Sequence, residues 1–238
     1  MIKYLTLTTF IAFFFLITTG HANEKAILLR GGATAAFGGV KSFDPGNDYF
    51  WGGGFNVNAG FRFSNLTFRG YNFSPWEINA SGNSYWGRTV HHIKSELEHV
   101  SVEGGAAIRT FVIAVCLKYH FETLYKKVWQ PYLGLGPSWS QHTLKMKNYE
   151  VRRGTFTNNN RIAYLTEGAT LIFGIEENLP YREMHPVYME FAYTLTAVKK
   201  ISLLDASNHK EIESIEYANI DKHIYSHIIM FNIGMTIF

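Results

Sequence analysis

The most constraining feature of this sequence is an alternation of apolar and polar residues with a period of two. The stretch Phe55–Phe63, FNVNAGFRF, has apolar side chains at odd positions and polar or small residues at even positions. Because successive side chains of a β-strand point to opposite faces, this stretch predicts a strand with one oily and one polar face. The class of the protein depends on which of these faces meets lipid, water or a core.

The same alternation recurs along the chain and predicts eight strands. One expected strand, Leu66–Phe73, changes phase near Arg69–Gly70, which indicates a bulge at the glycine. Most expected strands exceed the length of about 9–11 residues that a tilted membrane strand needs, and a longer strand protrudes from the bilayer. The apolar faces of the other seven span residues 27–37, 55–63, 111–121, 129–139, 163–175, 187–197 and 229–237.

The connections between these expected strands alternate between long and short. Long connections are expected over residues 38–49, 76–105, 146–160 and 200–223, and short ones over 64–65, 122–128 and 177–184. Transmembrane barrels carry long loops at one end and tight turns at the other. The sequence therefore predicts an all-β fold, an eight-stranded antiparallel transmembrane up-and-down β-barrel. We expect four long extracellular loops and short periplasmic turns, with both termini on the periplasmic side.

The first residues of the chain have the pattern of a secretory signal peptide. Lys3 supplies a positive charge, an apolar run follows, and small residues end at Ala22. The run is too short for a spanning helix, and a short membrane anchor is the alternative. We expect residues 1–22 to be removed on export and residues 23–238 to form the outer-membrane barrel.

Composition excludes several other classes of protein. Cys116 is the only cysteine, so no disulfide within the chain stabilises the exported protein. Removal of the one lysine in residues 1–22 changes the formal net charge from +3 to +2, which is too small to indicate nucleic-acid binding. The 19 Phe, 14 Tyr and 21 Gly, with only 6 Pro, favour an all-β protein.

The polar faces of the expected strands carry charged residues that would be costly in the centre of a soluble core. Inside a barrel, such cations and carboxylates can pair. Because eight strands enclose a space that side chains just fill, we expect a plugged interior. The expected interior polar cluster is Arg30, Arg62, Lys118, His120, Glu176 and Glu190, and the same faces hold Asn56, Asn58, Gln130 and His142.

A secreted soluble β-sandwich or a lipocalin-like barrel, with its oily faces inside, is the alternative fold. The polar inner positions and the alternating connection lengths favour the membrane barrel. Aromatic residues near the expected strand ends are where interfacial belts of membrane barrels lie, although ordinary strand packing explains each of them as well. These aromatic residues are Trp51, Tyr119, Phe121, Trp129, Trp139 and Phe238.

The stretch Val115–Ser140, VCLKYHFETLYKKVWQPYLGLGPSWS, resembles the centre of small outer-membrane β-barrel proteins. These are the opacity-type surface porins and the relatives of the eight-stranded OmpA and OmpX barrels. In that family a strand ending in Tyr-x-Phe precedes a short periplasmic turn, and a Pro-Tyr-x-Gly-x-Gly strand follows. The stretch Glu190–Thr194, EFAYT, is similar to the next-to-last strand. The matching positions are Tyr119, Phe121, Pro131, Tyr132, Gly134 and Gly136.

The last residue of the chain, Phe238, also resembles this family, whose members commonly end in Phe. The resemblance implies that Phe238 is an assembly signal for the barrel-assembly machinery. It departs from the usual pattern, because Met235 and Ile237 occupy the outward phase and Phe238 does not. The resemblance implies a location in the outer membrane. The family includes adhesins, structural barrels, small-solute carriers and enzymes, so the resemblance leaves the function open.

Some outer-membrane barrels are enzymes, such as lipid A deacylases, which need a serine, a histidine and a carboxylate that orients the histidine. Ser140 and His142 face one way on an expected strand, but in the reverse of the family's His-x-Ser order. A satisfied interior histidine and a solvated loop explain the candidates more simply, so we predict no catalytic residues. The candidates in the second loop are His91, His92, Ser95, Glu96, Glu98 and His99.

The three histidines of that loop are also the best candidates for metal binding. His91, His92 and His99 lack a tight ligand spacing, and no cysteine lies nearby. We therefore predict no metal site and no cofactor.

Basic side chains bracket the third expected loop and could attract lipopolysaccharide phosphates or host polyanions. A solvated loop is the simpler explanation. The acidic residues of the fourth loop, Glu211, Glu213, Glu216 and Asp221, are candidate partners for these basic side chains. The candidate anion- or lipopolysaccharide-binding residues are Lys145, Lys147, Arg152, Arg153 and Arg161.

Three hypotheses for function remain. We favour a non-enzymatic outer-membrane surface protein, monomeric, with structural or adhesive roles through its loops. Its expected partners are outer-membrane lipid, lipopolysaccharide, the barrel-assembly machinery and host or surface ligands, but not nucleic acid. The second is a narrow porin or carrier for small apolar molecules, and the third is a lipid A-modifying enzyme. Paired charges in the lumen would favour the surface protein, and an apolar path through the lumen would favour the carrier. A Ser–His–carboxylate group would favour the enzyme.

Overall fold

The computed structural model describes the barrel wall and several short strands beside it. The expected signal peptide, residues 1–22, and the expected assembly signal, Phe238, lie outside the described residues. The described residues are 27–41, 49–63, 67–68, 70–89, 100–101, 107–124, 128–145, 149–151, 154–156, 161–178, 185–205, 210–216 and 225–237.

Eight long antiparallel strands form the wall of a closed barrel. Each strand pairs with the next along the chain, and the last also pairs with the first. This closed up-and-down arrangement confirms the predicted fold class. The strands are β1 (Ile27–Lys41), β2 (Tyr49–Arg62), β3 (Trp76–Thr89), β4 (Ala107–His120), β5 (Trp129–Lys145), β6 (Arg161–Glu177), β7 (Val187–Leu204) and β8 (Tyr225–Thr236).

Six short strands lie in the described parts of the connections. Two form a hairpin between β2 and β3, and three form a small sheet that joins the β3–β4 and β5–β6 connections. The sixth pairs with the last residues of β7. Among the described residues, no helix has the length and hydropathy needed to cross a membrane. The short strands are Thr67–Phe68, Tyr71–Asn72, Val100–Ser101, Tyr149–Val151, Gly154–Phe156 and Glu211–Glu216.

The prediction that Leu66–Phe73 is the third barrel strand is wrong. This segment contains the short hairpin, and Gly70 lies in its turn with φ +82°, a conformation that favours glycine. The third barrel strand is β3, which lies inside the expected second loop. The outward side of β3 holds the small residues Ala80 and Gly82 followed by the polar Ser84, so it lacks a continuous oily face.

The strand bounds also change the connection lengths. At one end, the loop end, the connections span 42–48, 90–106, 146–160 and 205–224, and at the other, the turn end, they span 63–75, 121–128 and 178–186. The first loop is shorter than expected because β1 and β2 stay paired up to Gly39 and Tyr49. The first turn is longer because it holds the short hairpin. Long and short connections alternate from residue 90 onward.

The outer surface of the barrel is apolar and its inner surface is largely polar. Leu135 and Val57, which point outward, are 60% and 49% exposed, whereas the inward-pointing Asn56 and Asn58 are each 1% exposed. Apolar groups outside and polar groups inside are typical of a barrel surrounded by lipid. The alternative fold, in which the oily faces form the interior, is therefore wrong.

The barrel interior has two distinct ends. Near the loop end it is packed with buried apolar side chains, and Phe50 stacks on Tyr85 with ring centroids 5.8 Å apart. Near the turn end it holds charged side chains and their polar partners, which together come from every strand of the wall. Since eight strands enclose little more than the volume of their own inward side chains, these two regions fill much of the barrel.

A charge placed on the outer wall tests whether that wall faces lipid. Leu135 lies midway along the outward face of β5, so we expect Leu135→Arg to lower the free energy of unfolding by about 2–4 kcal/mol. Gln141→Arg is the matched control on the same face, close to the loop end, and should cost about 0–1 kcal/mol. Denaturant titration in phospholipid vesicles measures both. Equal costs would contradict a lipid-facing wall.

Candidate functional site

Arg30 lies at the centre of the charged region. Strand β1 points its side chain into the barrel, where the residue is 1% exposed. The guanidinium donates to both carboxylate oxygens of Glu77, at 2.7 and 3.0 Å, and to both oxygens of Glu176, at 3.2 and 2.9 Å. Because these residues come from β1, β3 and β6, the two charge-assisted contacts cross the barrel interior.

Further donors complete the coordination of the two carboxylates. Arg62 Nη2 lies 3.4 Å from Glu77 Oε2 and 3.2 Å from Glu176 Oε2. His120 Nε2 lies 3.0 Å from Glu77 Oε2, and the Thr236 hydroxyl donates to Glu176 Oε1 at 2.7 Å. Buried carboxylates are stable only when several such partners offset their desolvation. We call Arg30, Arg62, Glu77, His120, Glu176 and Thr236 the Arg30 cluster.

A second group surrounds Lys118. Its Nζ lies 2.9 Å from Glu190 Oε2 and 4.6 Å from the centroid of the Tyr132 ring. The Tyr132 hydroxyl donates to Glu190 Oε2 at 3.1 Å, and the Asn232 amide donates to Glu190 Oε1 at 3.1 Å. The Tyr132 ring also contacts His120, with centroids 5.2 Å apart. This contact joins the Lys118 group to the Arg30 cluster, and together we call them the ionic layer.

The ionic layer contains side chains from all eight strands. The ion pairs join three cations, Arg30, Arg62 and Lys118, to three carboxylates. The side chains of these pairs are nearly inaccessible to solvent, with the exception of Arg62, which is 16% exposed. The layer is therefore balanced in charge and closes the barrel interior near the turn end.

Two glycines have no side chain and so provide room for the side chains of the ionic layer. A Cβ atom on Gly174 would overlap the ring of Tyr132. A Cβ atom on Gly60 would overlap the carboxylate of Glu77 and would lie 3.0 Å from Arg30 Nη1. Glycine at these two positions is thus a consequence of close approach by the ionic layer.

The structure brings all six residues of the expected interior polar cluster into the ionic layer. They fall into the two groups, with Lys118 and Glu190 apart from the other four. Gln130, expected on the same face, instead donates from its amide to the Phe121 carbonyl at the turn end. Sequence reasoning missed Glu77 because it assigned that residue to a loop. The polar residues at alternate positions from Glu77 to Asn83 were the signal that this segment is a strand.

The interior between the ionic layer and the apolar end is lined by hydroxyl and amide groups. The Tyr188 hydroxyl donates to Asn56 Oδ1 at 2.7 Å. Other buried atoms, including Thr34 Oγ1 and Ser138 Oγ, have no protein partner among the described residues. Buried polar groups of this kind bind water, and an apolar solute passing them would leave them unsatisfied.

His142 forms a separate polar group nearer the loop end. Its Nε2 lies 3.1 Å from Ser140 Oγ and 3.0 Å from Ser226 Oγ, and its Nδ1 lies 3.0 Å from Thr110 Oγ1. Within the described part of the chain, no carboxylate contacts the ring, and His142 and Ser140 are buried. The pair therefore lacks both the orienting carboxylate and the access that a deacylase-type site needs.

The second-loop candidates for catalysis or metal binding lie outside the described residues. In the parts of the chain that the structure describes, no group of His, Cys, Asp and Glu side chains is arranged to hold a metal ion. These second-loop candidates are His91, His92, Ser95, Glu96, Glu98 and His99.

The expected anion-binding residues are described only in part. Lys145 and Arg161 are paired across β5 and β6 and lie on the outer wall at the loop end. Glu211, an acidic residue of the fourth loop, forms an ion pair at 2.8 Å with Lys200 of β7. The residues of these two loops that lie outside the described ranges include Lys147, Arg152, Arg153 and Asp221.

Comparison with known proteins gives a likeness of fold at very low sequence identity. No protein-family model and no curated protein matches the chain. The outer membrane protein OprG from Pseudomonas aeruginosa matches with TM-score 0.48 and 13% identity, over 88% of this chain and 93% of its own. Ail, the attachment invasion locus protein of Yersinia pestis, matches with TM-score 0.42 and 10% identity, over 88% and 97%. The outer membrane protease OmpT from Escherichia coli matches with TM-score 0.41 and 9% identity, over 92% and 99%.

Removal of the central cation should strongly destabilise the barrel. Arg30→Met leaves the buried Glu77 and Glu176 carboxylates with Arg62 as their remaining cation, so we expect a loss of about 3–5 kcal/mol in the free energy of unfolding. Lys200→Met, which breaks the exposed pair with Glu211, is the control and should cost about 0–1 kcal/mol. Denaturant titration of the folded barrel in vesicles measures both losses. Similar losses for the two variants would show that the ionic layer is not a principal source of stability.

The close approach at Gly174 gives a second test. Gly174→Ala forces the Tyr132 ring to move, and we expect it to cost about 1–3 kcal/mol in the free energy of unfolding. Gly82→Ala is the matched control, because its Cβ atom would have its nearest neighbour 4.0 Å away. Tyr132→Leu should remove most of the additional cost of Gly174→Ala in a double-mutant cycle, measured by denaturant titration. Additive costs would mean that the two residues do not interact.

Proposed function

We propose that this chain is a non-enzymatic bacterial outer-membrane β-barrel surface protein that acts through its loops. The observation that supports this most strongly is the ionic layer, which occupies the barrel interior with side chains from every strand. A barrel closed in this way has its outer wall and its two ends as contact surfaces. The turn end has the shorter connections after residue 90, so the loop end is the surface that recognises partners.

The physical character of the wall supports a location in the outer membrane. A strand that lies in hydrocarbon needs an apolar outward face and a hydrogen-bonded partner on each side. The wall meets both requirements, because its outer face is apolar and its closed ladder has no unpaired edge. Outer-membrane lipid and lipopolysaccharide then surround the wall, and the protein is a monomer. The loop end faces outside, the turn end faces the periplasm, and the barrel-assembly machinery inserts the chain with Phe238 as its signal.

Structured loops support a role in contact with host or surface ligands. Val100–Ser101, from the connection after β3, pairs with Tyr149–Val151, from the connection after β5. Another short strand, Glu211–Glu216, pairs with the last residues of β7 from Lys200 to Leu204. Backbone pairing between loops restricts their conformations, which lowers the entropy cost of binding a partner.

The other two functions fit the interior less well. A carrier for small apolar molecules needs an apolar path, whereas this interior presents the ionic layer and unsatisfied hydroxyl groups. An enzyme of the deacylase type needs a carboxylate near an accessible Ser–His pair, whereas Ser140 and His142 are buried with hydroxyl partners. Neither has a supporting observation in the described residues.

Cell fractionation and ion conductance together test the proposed function. We expect the full chain in the outer-membrane fraction, with faster gel mobility before boiling than after, and no stepwise conductance in a planar bilayer. A soluble periplasmic protein, or steady conductance by the unaltered chain, would contradict the proposal.

A further inference from the structure

A pocket of about 560 Å³ opens on the outer wall at the loop end, across strands β3 to β6. Its lining includes three basic side chains, Arg109, Lys145 and Arg161, and two aromatic side chains, Trp86 and Phe111. None of its lining residues is acidic. The pocket therefore combines positive charge with an exposed apolar surface, and the ionic layer takes no part in it.

Strand register sets the basic side chains side by side. Arg88, Ala107, Lys145 and Arg161 form one row of paired residues across four neighbouring strands. Adjacent strands lie about 4.8 Å apart, so these cations are spaced closely enough to share one phosphate or two neighbouring ones. Arg109 belongs to the next row, two residues further into the wall.

The aromatic ring of Trp86 holds one cation at the boundary of the apolar wall. The Arg109 guanidinium lies over the Trp86 ring, 5.8 Å from its centroid. Within the described part of the chain, no carboxylate lies within ion-pair distance of Arg109 or Lys145. Their charged groups can therefore donate hydrogen bonds to an anion from outside the chain.

The residues beside the pocket indicate what kind of anion fits. Further into the wall, β4 and β5 present Ile113 and Trp139, which are 43% and 45% exposed and face lipid. A ligand with its phosphate at the basic row can lay an acyl chain along these side chains. The Trp86 ring packs against Phe55, with centroids 5.7 Å apart, yet Trp86 and Phe111 are still 48% and 46% exposed. A soluble anion at the basic row would leave this apolar surface uncovered.

We propose that this pocket binds a phosphate-bearing lipid of the outer leaflet, with the phosphate at Arg109, Lys145 and Arg161 and an acyl chain along Phe111 and Ile113. The proposal rests on the proposed function, since it requires that the barrel lie in a membrane. It names a specific contact with lipid on the wall, in addition to any partner that the loops bind.

Quenching of Trp86 fluorescence measures the lipid preference directly. The full mature chain is reconstituted in phosphatidylcholine vesicles that contain a minor fraction of brominated phosphatidic acid or the same fraction of brominated phosphatidylcholine. Because the chain has 5 tryptophans, the Trp86 signal is the difference between the protein and its Trp86→Phe variant. We expect stronger quenching by the phosphatidic acid, and a weaker preference at high salt.

Charge-removing variants locate the site. Arg109→Gln and Lys145→Gln should each weaken the preference about fivefold, because a cation at a charged lipid surface contributes roughly that factor. Lys199→Gln is the matched control, an exposed cation of β7 outside the pocket, and should keep the preference. Inorganic phosphate at the concentration of the brominated lipid should leave the quenching unchanged.

The outcomes separate this inference from the proposed function. Equal quenching by the two lipids, in protein that shows the heat-dependent mobility shift, overturns the lipid site and leaves the barrel proposal intact. Loss of the preference with inorganic phosphate, or with Lys199→Gln as much as with Lys145→Gln, also overturns it. Protein that fails to insert and shows no mobility shift overturns the proposed function itself.

Discussion

The structure depends on closure of the hydrogen-bonded ladder. In hydrocarbon no water is present to satisfy a backbone amide or carbonyl, so each strand must pair on both sides. Pairing of β8 with β1 achieves this, with twelve residue pairs from Arg30–Thr236 to Lys41–Tyr225. Once the ladder is closed, the period-two alternation of side chains assigns every residue of the wall to lipid or to the interior.

The ionic layer follows from that closure. Eight strands enclose a narrow space, and the inward positions near the turn end bring three cations and three carboxylates into it. Their desolvation is offset because each carboxylate has several donors and because Gly60 and Gly174 leave room for the geometry. The cost of opening this layer is why the proposed function places recognition at the loops and the outer wall.

The two ends of the barrel differ in chemistry as well as in loop length. The turn end of the interior is ionic, whereas the loop end is apolar and contains the hydroxyl-bound His142. On the outer wall the charged region lies at the opposite end from the charged region of the interior. Basic residues such as Lys145 lie at the loop end, beyond the apolar surface around Leu135. A phosphate-bearing lipid would meet both of these outer surfaces at once.

The sequence alone determined the fold class, because long period-two segments with polar inner faces are compatible with few architectures other than a membrane barrel. It also predicted that six residues of the ionic layer point inward, since phase along a strand is a local property, but it missed Glu77. It misplaced the third strand, because small residues such as Ala80 and Gly82 hide the outward face of β3. Only the tertiary structure decided which charges meet: Arg30 lies 47 residues from Glu77 and 146 from Glu176 in the chain. Such contacts depend on strand register and on the curvature of the closed wall, and neither is encoded in the alternation of any one segment.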